Sequence, residues 1–268
     1  MKKIIPYLIF TVFAIFIACD KNKNVVLFSV QNDQQLGQQV SQQIASDTIT
    51  YPLLSETQYP EAYTYLRNIV NKILNSGKVK YRNEFAWEVH IINDDSVLNA
   101  FCTPGGYIYV YTGIIKYLDT EDELAGVLGH EIGHADLRHS SRQLQNQYGI
   151  SFLLNLLVGN NPNDVEKIAS QLAGTLGTLK FSREYESEAD KNSVIYLSGT
   201  EYACNGASGF FKKLRDNGQC NSTKLVWLST HPAPCDRIDA IDQEAVDLGC
   251  DTTMLAPPSY EDFKNSLP

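Results

Sequence analysis

Hydrophobic and polar residues follow helical spacing in two stretches near the start of this 268-residue chain. In the first, over residues 26–44, apolar side chains recur at every fourth position, which predicts a helix with one buried side. In the second, over residues 59–74, apolar positions recur at intervals of three and four along almost the whole length. This segment predicts a better-packed helix.

Two shorter segments show the pattern of strands. Residues 85–92 alternate apolar and polar side chains, which predicts a strand with His90 on its solvated face. Residues 107–112 are rich in Tyr, Ile and Val and predict a second strand. The sequence Thr103-Pro104-Gly105-Gly106 breaks the chain between them. A small sheet is therefore expected just before the next helix.

The next helix is predicted to begin after Thr120, because Thr120 and Glu123 have the spacing of a capping box. It contains the pentapeptide His130-Glu131-Ile132-Gly133-His134, which has the form H-E-x-x-H. On a helix, His130 and His134 project from one face, so both imidazoles can bind one Zn²⁺ while Glu131 reaches a water on the metal. The alternative interpretation is two ordinary histidines on a surface or core face.

A catalytic zinc site needs a third protein ligand and an open position. The longer pattern H-E-x-x-H-x-x-G-x-x-H would supply a histidine, but this chain has Leu137 in place of its glycine and Ser140 in place of its third histidine. His139 is therefore expected to be a surface residue. The third ligand has to come from elsewhere in the chain.

A better candidate lies in a helix that Ser182 can cap. Glu186 and Asp190 are four residues apart there and share a face. Glu186 can bind zinc, and Asp190 can accept a hydrogen bond from the outer N–H of a ligand histidine. Glu184 and Glu188 are expected to point elsewhere, towards solvent. The alternative interpretation is that the whole cluster is a solvated acidic face.

The N-terminus has the pattern of an export signal. Met1-Lys2-Lys3 is basic, and the largely apolar residues 4–18 are too few to span a membrane but suit a signal peptide. Phe16-Ile17-Ala18-Cys19 resembles a bacterial lipobox, which implies cleavage before Cys19 and a lipid on its sulfur. We expect a lipoprotein-type signal peptide over 1–18, a tether over 19–26 and one domain over 27–268. A plain secretory signal or an uncleaved anchor is the alternative.

Charge and cysteine content narrow the functional classes. A net charge of −9 makes a nucleic-acid partner unexpected. Because export leads to an oxidising compartment, two disulfides are expected among Cys204, Cys220, Cys235 and Cys250. The sequence does not choose among their three pairings. Cys102 is expected to be a buried, unreactive thiol.

Four motifs, in their order and spacing, resemble the M48 family of zinc metallopeptidases: H-E-I-G-H, F-S-R-E-Y-E-S-E-A-D, Asn99-Ala100-Phe101 with Pro104-Gly105-Gly106, and Ser229-Thr230-His231-Pro232 with Arg237-Ile238. The match extends from about Leu27 to Ile241. The resemblance implies an α+β fold: a mostly helical, zincin-like (gluzincin) domain with a small β-sheet beside the H-E-x-x-H helix. It also implies one Zn²⁺ per chain, held by His130, His134 and Glu186, with Asp190 contacting a ligand instead of the ion.

Two further features come from the same resemblance. His231 is expected near the metal, where it could stabilise the oxyanion or occupy the open position and hold the enzyme idle. Arg237 could aid the oxyanion or brace Asp190, and packing alone is the alternative for both residues. An edge strand beside the metal helix is expected to pair with an extended substrate, unless it only builds the sheet. Its residues are Asn99, Ala100, Phe101, Gly105 and Gly106.

The sequence therefore predicts a zinc-dependent endopeptidase with Glu131 as general base, acting on cell-envelope proteins in quality control. The expected partners are polypeptide substrates, other envelope proteins, and the membrane through an N-terminal lipid anchor. The expected location is the bacterial cell envelope, facing the periplasm or exposed at the surface, with the leaflet left open. The alternative is an envelope chaperone or adaptor lipoprotein whose zinc site is inhibited or dispensable.

Overall fold

The structure, a computed structural model, describes residues 26–158, 170–171, 173–174, 179–220, 226–232, 234–254 and 257–268. The predicted signal peptide, Cys19 and residues 19–25 of the predicted tether lie outside the described residues. Within the ranges that are described, no helix combines the length and the apolar character needed to cross a membrane.

Helices dominate the described fold, which confirms the predicted mostly helical α+β class. The predicted helix over residues 26–44 begins later than expected, because Ser29 caps it by accepting a hydrogen bond from the Asn32 amide at 3.0 Å. In chain order the helices are α1 (Val30–Ser46), α2 (Pro60–Leu74), α3 (Thr112–Tyr117), α4 (Glu121–Asp136), α5 (His139–Tyr148), α6 (Ile150–Val158), α7 (Arg183–Leu197), α8 (Gly206–Asp216), α9 (Val226–Thr230), α10 (Pro234–Leu248) and α11 (Pro258–Asn265).

A small sheet lies against these helices. In the described part of the chain it consists of β1 (Glu88–Ile92), β2 (Ala100–Thr103) and β3 (Tyr107–Tyr111), in the order β1-β3-β2. Strand β1 runs parallel to β3, and β2 runs antiparallel to it. Strand β2 is therefore an edge strand, and helix α4 packs beside it.

The strand that the sequence predicts over residues 85–92 begins only at Glu88, and its His90 is partly buried instead of solvated. Trp87 has a φ of 48°, in the left-handed region, so the extended backbone begins only at Glu88. His90 stacks on Tyr109 with ring centroids 4.9 Å apart, and 23% of its side chain is exposed. Because Tyr109 is the register partner of His90 on β3, its ring covers the face that the alternation assigns to solvent.

Helix α4 lies in the middle of the fold, and its backbone approaches α8 very closely. A Cβ atom added to Gly126 would lie 2.0 Å from the backbone nitrogen of Ala207, so only glycine allows this crossing. On another side α4 packs against α7, where the Ser193 hydroxyl donates to the Gly126 carbonyl at 2.9 Å. Helix α4 is therefore fixed between α7 and α8.

The two predicted disulfides form, and the structure selects one of the three pairings. Cys204 is bonded to Cys250, which links the chain just before α8 to the chain just after α10. Cys220 is bonded to Cys235, which closes a loop that includes α9. Cys102, on β2, is buried and is the unpaired cysteine within the described ranges, as expected.

Candidate metal centre

Helix α4 presents both histidines of the H-E-x-x-H motif to the interior. Thr120 caps the helix by accepting a hydrogen bond from the Glu123 amide at 3.1 Å, and the Glu123 carboxylate accepts one from the Thr120 amide at 3.1 Å, which is the predicted capping box. His130 and His134 are fully buried one turn apart, and their Nε2 atoms lie 3.0 Å from each other. The helix therefore holds two imidazole nitrogens at one point.

Helix α7 brings a carboxylate to the same point. The Ser182 hydroxyl caps α7 by accepting a hydrogen bond from the Tyr185 amide at 3.2 Å, as predicted. One turn further on, the buried Glu186 places a carboxylate oxygen 3.5 Å from Nε2 of His130 and the other 3.5 Å from Nε2 of His134. The structure thus brings together the three side chains that the sequence predicts as zinc ligands.

Asp190 supports His130 from behind. Its Oδ1 lies 2.9 Å from Nδ1 of His130, on the ring edge away from His134. Burial alone would lower the pKa of His130, but the Asp190 and Glu186 carboxylates raise it to about 9. The same burial would raise the pKa of Asp190, which Arg237 and His130 nevertheless hold below its usual range. The carboxylates therefore create a negative potential at His130 that favours a bound cation.

Arg237, on α10, braces two acids of α7, Glu186 and Asp190. Its Nε donates to Asp190 at 2.6 Å, and its Nη1 donates to Glu186. Burial opposes ionisation of Glu186, yet the positive charges of His231 and Arg237 hold the pKa of its carboxyl far below the usual range. Of the two roles expected for Arg237, this geometry favours bracing over a contact with substrate.

His231 lies inside the centre. It follows α9, stacks on Trp227 with ring centroids 4.1 Å apart, and is fully buried. Its Nδ1 lies 3.1 Å from Glu186 and 3.3 Å from Nε2 of His130. Its Nε2 faces Glu131 at 3.5 Å. His231 therefore adds a fourth donor to the three that the sequence predicts as ligands.

Glu131 faces the centre from α4 without joining the group of donors. It is buried, and its Oε1 has no hydrogen-bond partner within the described parts of the chain. Burial raises the pKa of its carboxyl, and the positive charges of His231 and His130 oppose that shift. An unpartnered, buried carboxylate oxygen is costly unless a ligand or reacting water completes its contacts.

The residues present fit a zinc ion. Donor atoms of His130, His134, Glu186 and His231 all lie within 4.8 Å of one another. Two histidines and a glutamate are the ligand set of many catalytic zinc sites. Asp190 lies 2.9 Å from Nδ1 of His130, so Nε2 of His130 is the ring nitrogen that faces Nε2 of His134, at 3.0 Å, and a cation would be held between these two nitrogens.

The structure corrects the predictions for His139 and Glu188. His139 is completely buried, with its Nδ1 2.9 Å from Nδ1 of His134, because the chain turns back at Arg138, which has a φ of 60°. Glu188 points towards His139, with its Oε2 3.0 Å from Nε2 of that ring. Neither glycine nor proline marks this turn, so the sequence pattern contains no signal for it.

The predicted substrate strand divides into two parts. Ala100 and Phe101 begin the edge strand β2, and Asn99 directly precedes it. The buried side-chain amide of Asn99 has no hydrogen-bond partner among the residues that the structure describes. Gly105 and Gly106 lie beyond the strand, in the turn to β3, where both have positive φ. The first part therefore lies beside α4, whereas the two glycines shape the turn.

Comparisons with known proteins agree with this geometry. The family model for "Peptidase family M48" matches residues 60–245. The "Beta-barrel assembly-enhancing protease" of Escherichia coli (strain K12) is 26% identical over 78% of this chain and 43% of its own length. The "Mitochondrial metalloendopeptidase OMA1" of Schizosaccharomyces pombe is 30% identical over 69% of this chain and 53% of its own length.

A "Putative beta-barrel assembly-enhancing protease" of Vibrio cholerae is 31% identical over 54% of this chain and 32% of its own length. The chain thus spans between about a third and about half of the length of these curated relatives. All three are named as proteases, and the matched region contains α4, α7 and His231.

Proposed function

The chain belongs to peptidase family M48, a family of zinc metallopeptidases, and from that premise we propose that it hydrolyses internal peptide bonds of cell-envelope proteins. The observation that carries the proposal is the convergence of His130, His134 and Glu186, with the buried carboxylate of Glu131 beside them. Three ligands with an adjacent acid are typical of a catalytic zinc site, since structural sites are usually closed by cysteine.

The chain's own residues divide the work of hydrolysis. When bound, zinc polarises the scissile carbonyl and lowers the pKa of an attacking water. Glu131 accepts the proton of that water and passes it to the leaving nitrogen, in the role of general base and then general acid. Asp190 fixes the His130 tautomer through Nδ1, and Arg237 keeps Glu186 and Asp190 ionised.

The position of strand β2 supports the proposal that the substrate is a polypeptide. Its hydrogen-bonded neighbour in the described sheet is β3, so its other edge can pair with an extended peptide. Such pairing uses backbone groups and does not depend on the substrate's side chains. We infer that residues 99–101 hold the peptide beside α4, close to Glu131.

Three observations support a place in the bacterial cell envelope. The N-terminal sequence resembles a lipoprotein signal with Cys19 as the lipid acceptor. The two disulfides suit an oxidising compartment. Two of the bacterial relatives are named for assembly of β-barrels, and on this basis we infer envelope proteins as substrates or partners, in their quality control.

The substitution Glu131→Gln tests the proposed function. We expect the variant to retain zinc and to lose hydrolysis of casein or of an unfolded envelope protein, because an amide cannot accept the water's proton. Glu184→Gln, an exposed acid on α7, is the matched control and should keep full activity. Hydrolysis by the Glu131→Gln variant at the wild-type rate would disprove the mechanism.

The position of His231 among the donors favours keeping a second candidate, an envelope chaperone or adaptor with an inhibited zinc site. A fourth protein donor would close the position that a substrate needs. Phenotypic rescue by wild type and by Glu131→Gln separates the two candidates. Equal rescue would support the binding role, and rescue by wild type alone would support the peptidase.

A further inference from the structure

His134 has a partner on the ring edge opposite the ligand cluster. Its Nδ1 lies 2.9 Å from Nδ1 of His139, and Nε2 of His139 lies 3.0 Å from Oε2 of Glu188. Both rings are completely buried, whereas a third of the Glu188 side chain, 33%, is exposed. The contacts therefore form a line from the metal centre to the surface.

The donors and acceptors along this line are determined by its two ends. A carboxylate only accepts, so Nε2 of His139 carries a proton and donates it to Glu188. A neutral His139 then has a bare Nδ1, which accepts from Nδ1–H of His134. His134 in turn presents the lone pair of Nε2 to the centre, next to Nε2 of His130 at 3.0 Å. Each ring nitrogen of His134 and His139 is thereby assigned as either protonated or bare.

We propose that His139 and Glu188 form a relay that orients His134 and strengthens zinc binding at its Nε2. The inference rests on the metal site of the proposed function and deepens it. His139 is a positioning residue, because it acts on the ion through His134. The contact does for His134 what Asp190 does directly for His130 at 2.9 Å.

The fold builds this relay with specific contacts. Arg138 adopts a left-handed conformation, with a φ of 60°, which ends α4 and turns the side chain of the next residue back towards His134. The His139 ring stacks on Tyr185 with centroids 4.4 Å apart and planes 9° from parallel. Arg142 forms an ion pair with Glu188 at 3.7 Å. A non-glycine residue in a left-handed conformation is strained, so contacts with the surrounding residues have to stabilise it.

Zinc affinity is the direct test, because it does not depend on hydrolysis. The dissociation constant would be measured on the full chain by competition with a chromophoric chelator. His139→Phe keeps the ring that stacks on Tyr185 and removes both nitrogens, and we expect zinc to bind about 10- to 100-fold more weakly. Glu188→Gln should weaken binding by a smaller factor, since its amide oxygen still accepts from His139.

Two comparisons separate a relay from a packing role. The double variant, which combines His139→Phe with Glu188→Gln, should bind zinc no more weakly than His139→Phe alone, because Glu188 acts only through His139. Glu184→Gln, the exposed acid on the same helix, should leave the affinity unchanged. In zinc-loaded wild type, a long-range ¹H–¹⁵N spectrum should show His139 protonated at Nε2 and bare at Nδ1.

Each contrary result has a defined meaning. Wild-type affinity in His139→Phe, fully additive losses in the double variant, or His139 protonated at Nδ1 would overturn the relay while leaving the zinc site intact. Failure of the wild-type chain to bind zinc would overturn the proposed function together with the relay. If His139→Phe does not fold, wild-type affinity in Glu188→Ala, which removes the acceptor of His139, is the result that overturns the relay.

Discussion

Arg138, whose side chain is 11% exposed, forms an ion pair with the buried Asp33 that ties helix α1 to the turn between α4 and α5. The Asp33 carboxylate also accepts a hydrogen bond from the Ser141 hydroxyl at 2.7 Å, and Arg138 donates to the Phe28 carbonyl. Burial raises the pKa of Asp33, and Arg138 and Ser141 oppose that shift. Because Arg138 is the residue of this turn that has a positive φ, the ion pair stabilises the turn that places His139.

The first prediction concerns this ion pair. Asp33→Ala should lower the free energy of unfolding by about 3–5 kcal/mol, because it removes the buried carboxylate that accepts from both Arg138 and Ser141. Urea unfolding followed by circular dichroism measures the loss. The control is Glu56→Ala, which breaks the Arg67 pair with side chains 41% and 56% exposed and should cost less than about 1 kcal/mol. Equal losses would contradict the role of burial.

The second prediction is a pH dependence set by Glu131. Its folded pKa is raised above 4.5, mainly by burial, and a general base must be ionised. Activity should therefore be lost as pH falls through that raised pKa, at a higher pH than an exposed glutamate would require. An acid limb of the kcat/KM profile at the pH of an exposed glutamate would contradict the assignment.

The third prediction asks whether His231 blocks or assists. Its Nδ1 lies among the donors, 3.1 Å from Glu186, so His231→Phe should keep zinc and raise the rate of casein hydrolysis at pH values above the acid limb. The measurement is the initial rate of the zinc-saturated protein. Ser229→Ala, an exposed position on the short helix α9 that precedes His231, serves as the control. A lower rate with zinc retained would instead assign His231 to the oxyanion.

The fourth prediction compares the disulfides. Replacing Cys220 and Cys235 by serine should lower the free energy of unfolding by about 3 kcal/mol, since that bond closes a separation of 15 residues. The Cys204–Cys250 bond closes a separation of 46, and its removal should cost about 1 kcal/mol more. Urea unfolding of both double variants tests the order. The reverse order would show that contacts, not loop length, determine the difference.

Local signals predict the helices that carry the candidate site. The capping box at Thr120 and the cap at Ser182 fix where α4 and α7 begin, and both starts are confirmed. The family and the α+β class are confirmed as well. The structure brings His130, His134 and Glu186 together, and their role as ligands stays a prediction that zinc measurements test.

The features that sequence does not predict depend on contacts between distant residues. His139 is missed because the turn at Arg138 is stabilised by Asp33, 105 residues earlier, and not by a local turn residue. The burial of His90 depends on the ring of Tyr109 on the neighbouring strand. The disulfide pairing depends on where α8 and α10 lie, which no cysteine spacing specifies.

Helix α7 holds Glu186, Glu188 and Asp190 within one 15-residue element. Glu186 faces the candidate metal centre. Asp190 lies at the outer ring edge of His130, and Glu188 lies at the outer ring edge of His139. A protein designer who transplants the centre would therefore take α4, the turn at Arg138 and α7 together with Asp33 and Arg237, which brace that turn and two acids of α7. In such a miniature, helix α7 would supply, in a single fragment, one ligand and the two acids that support the histidines.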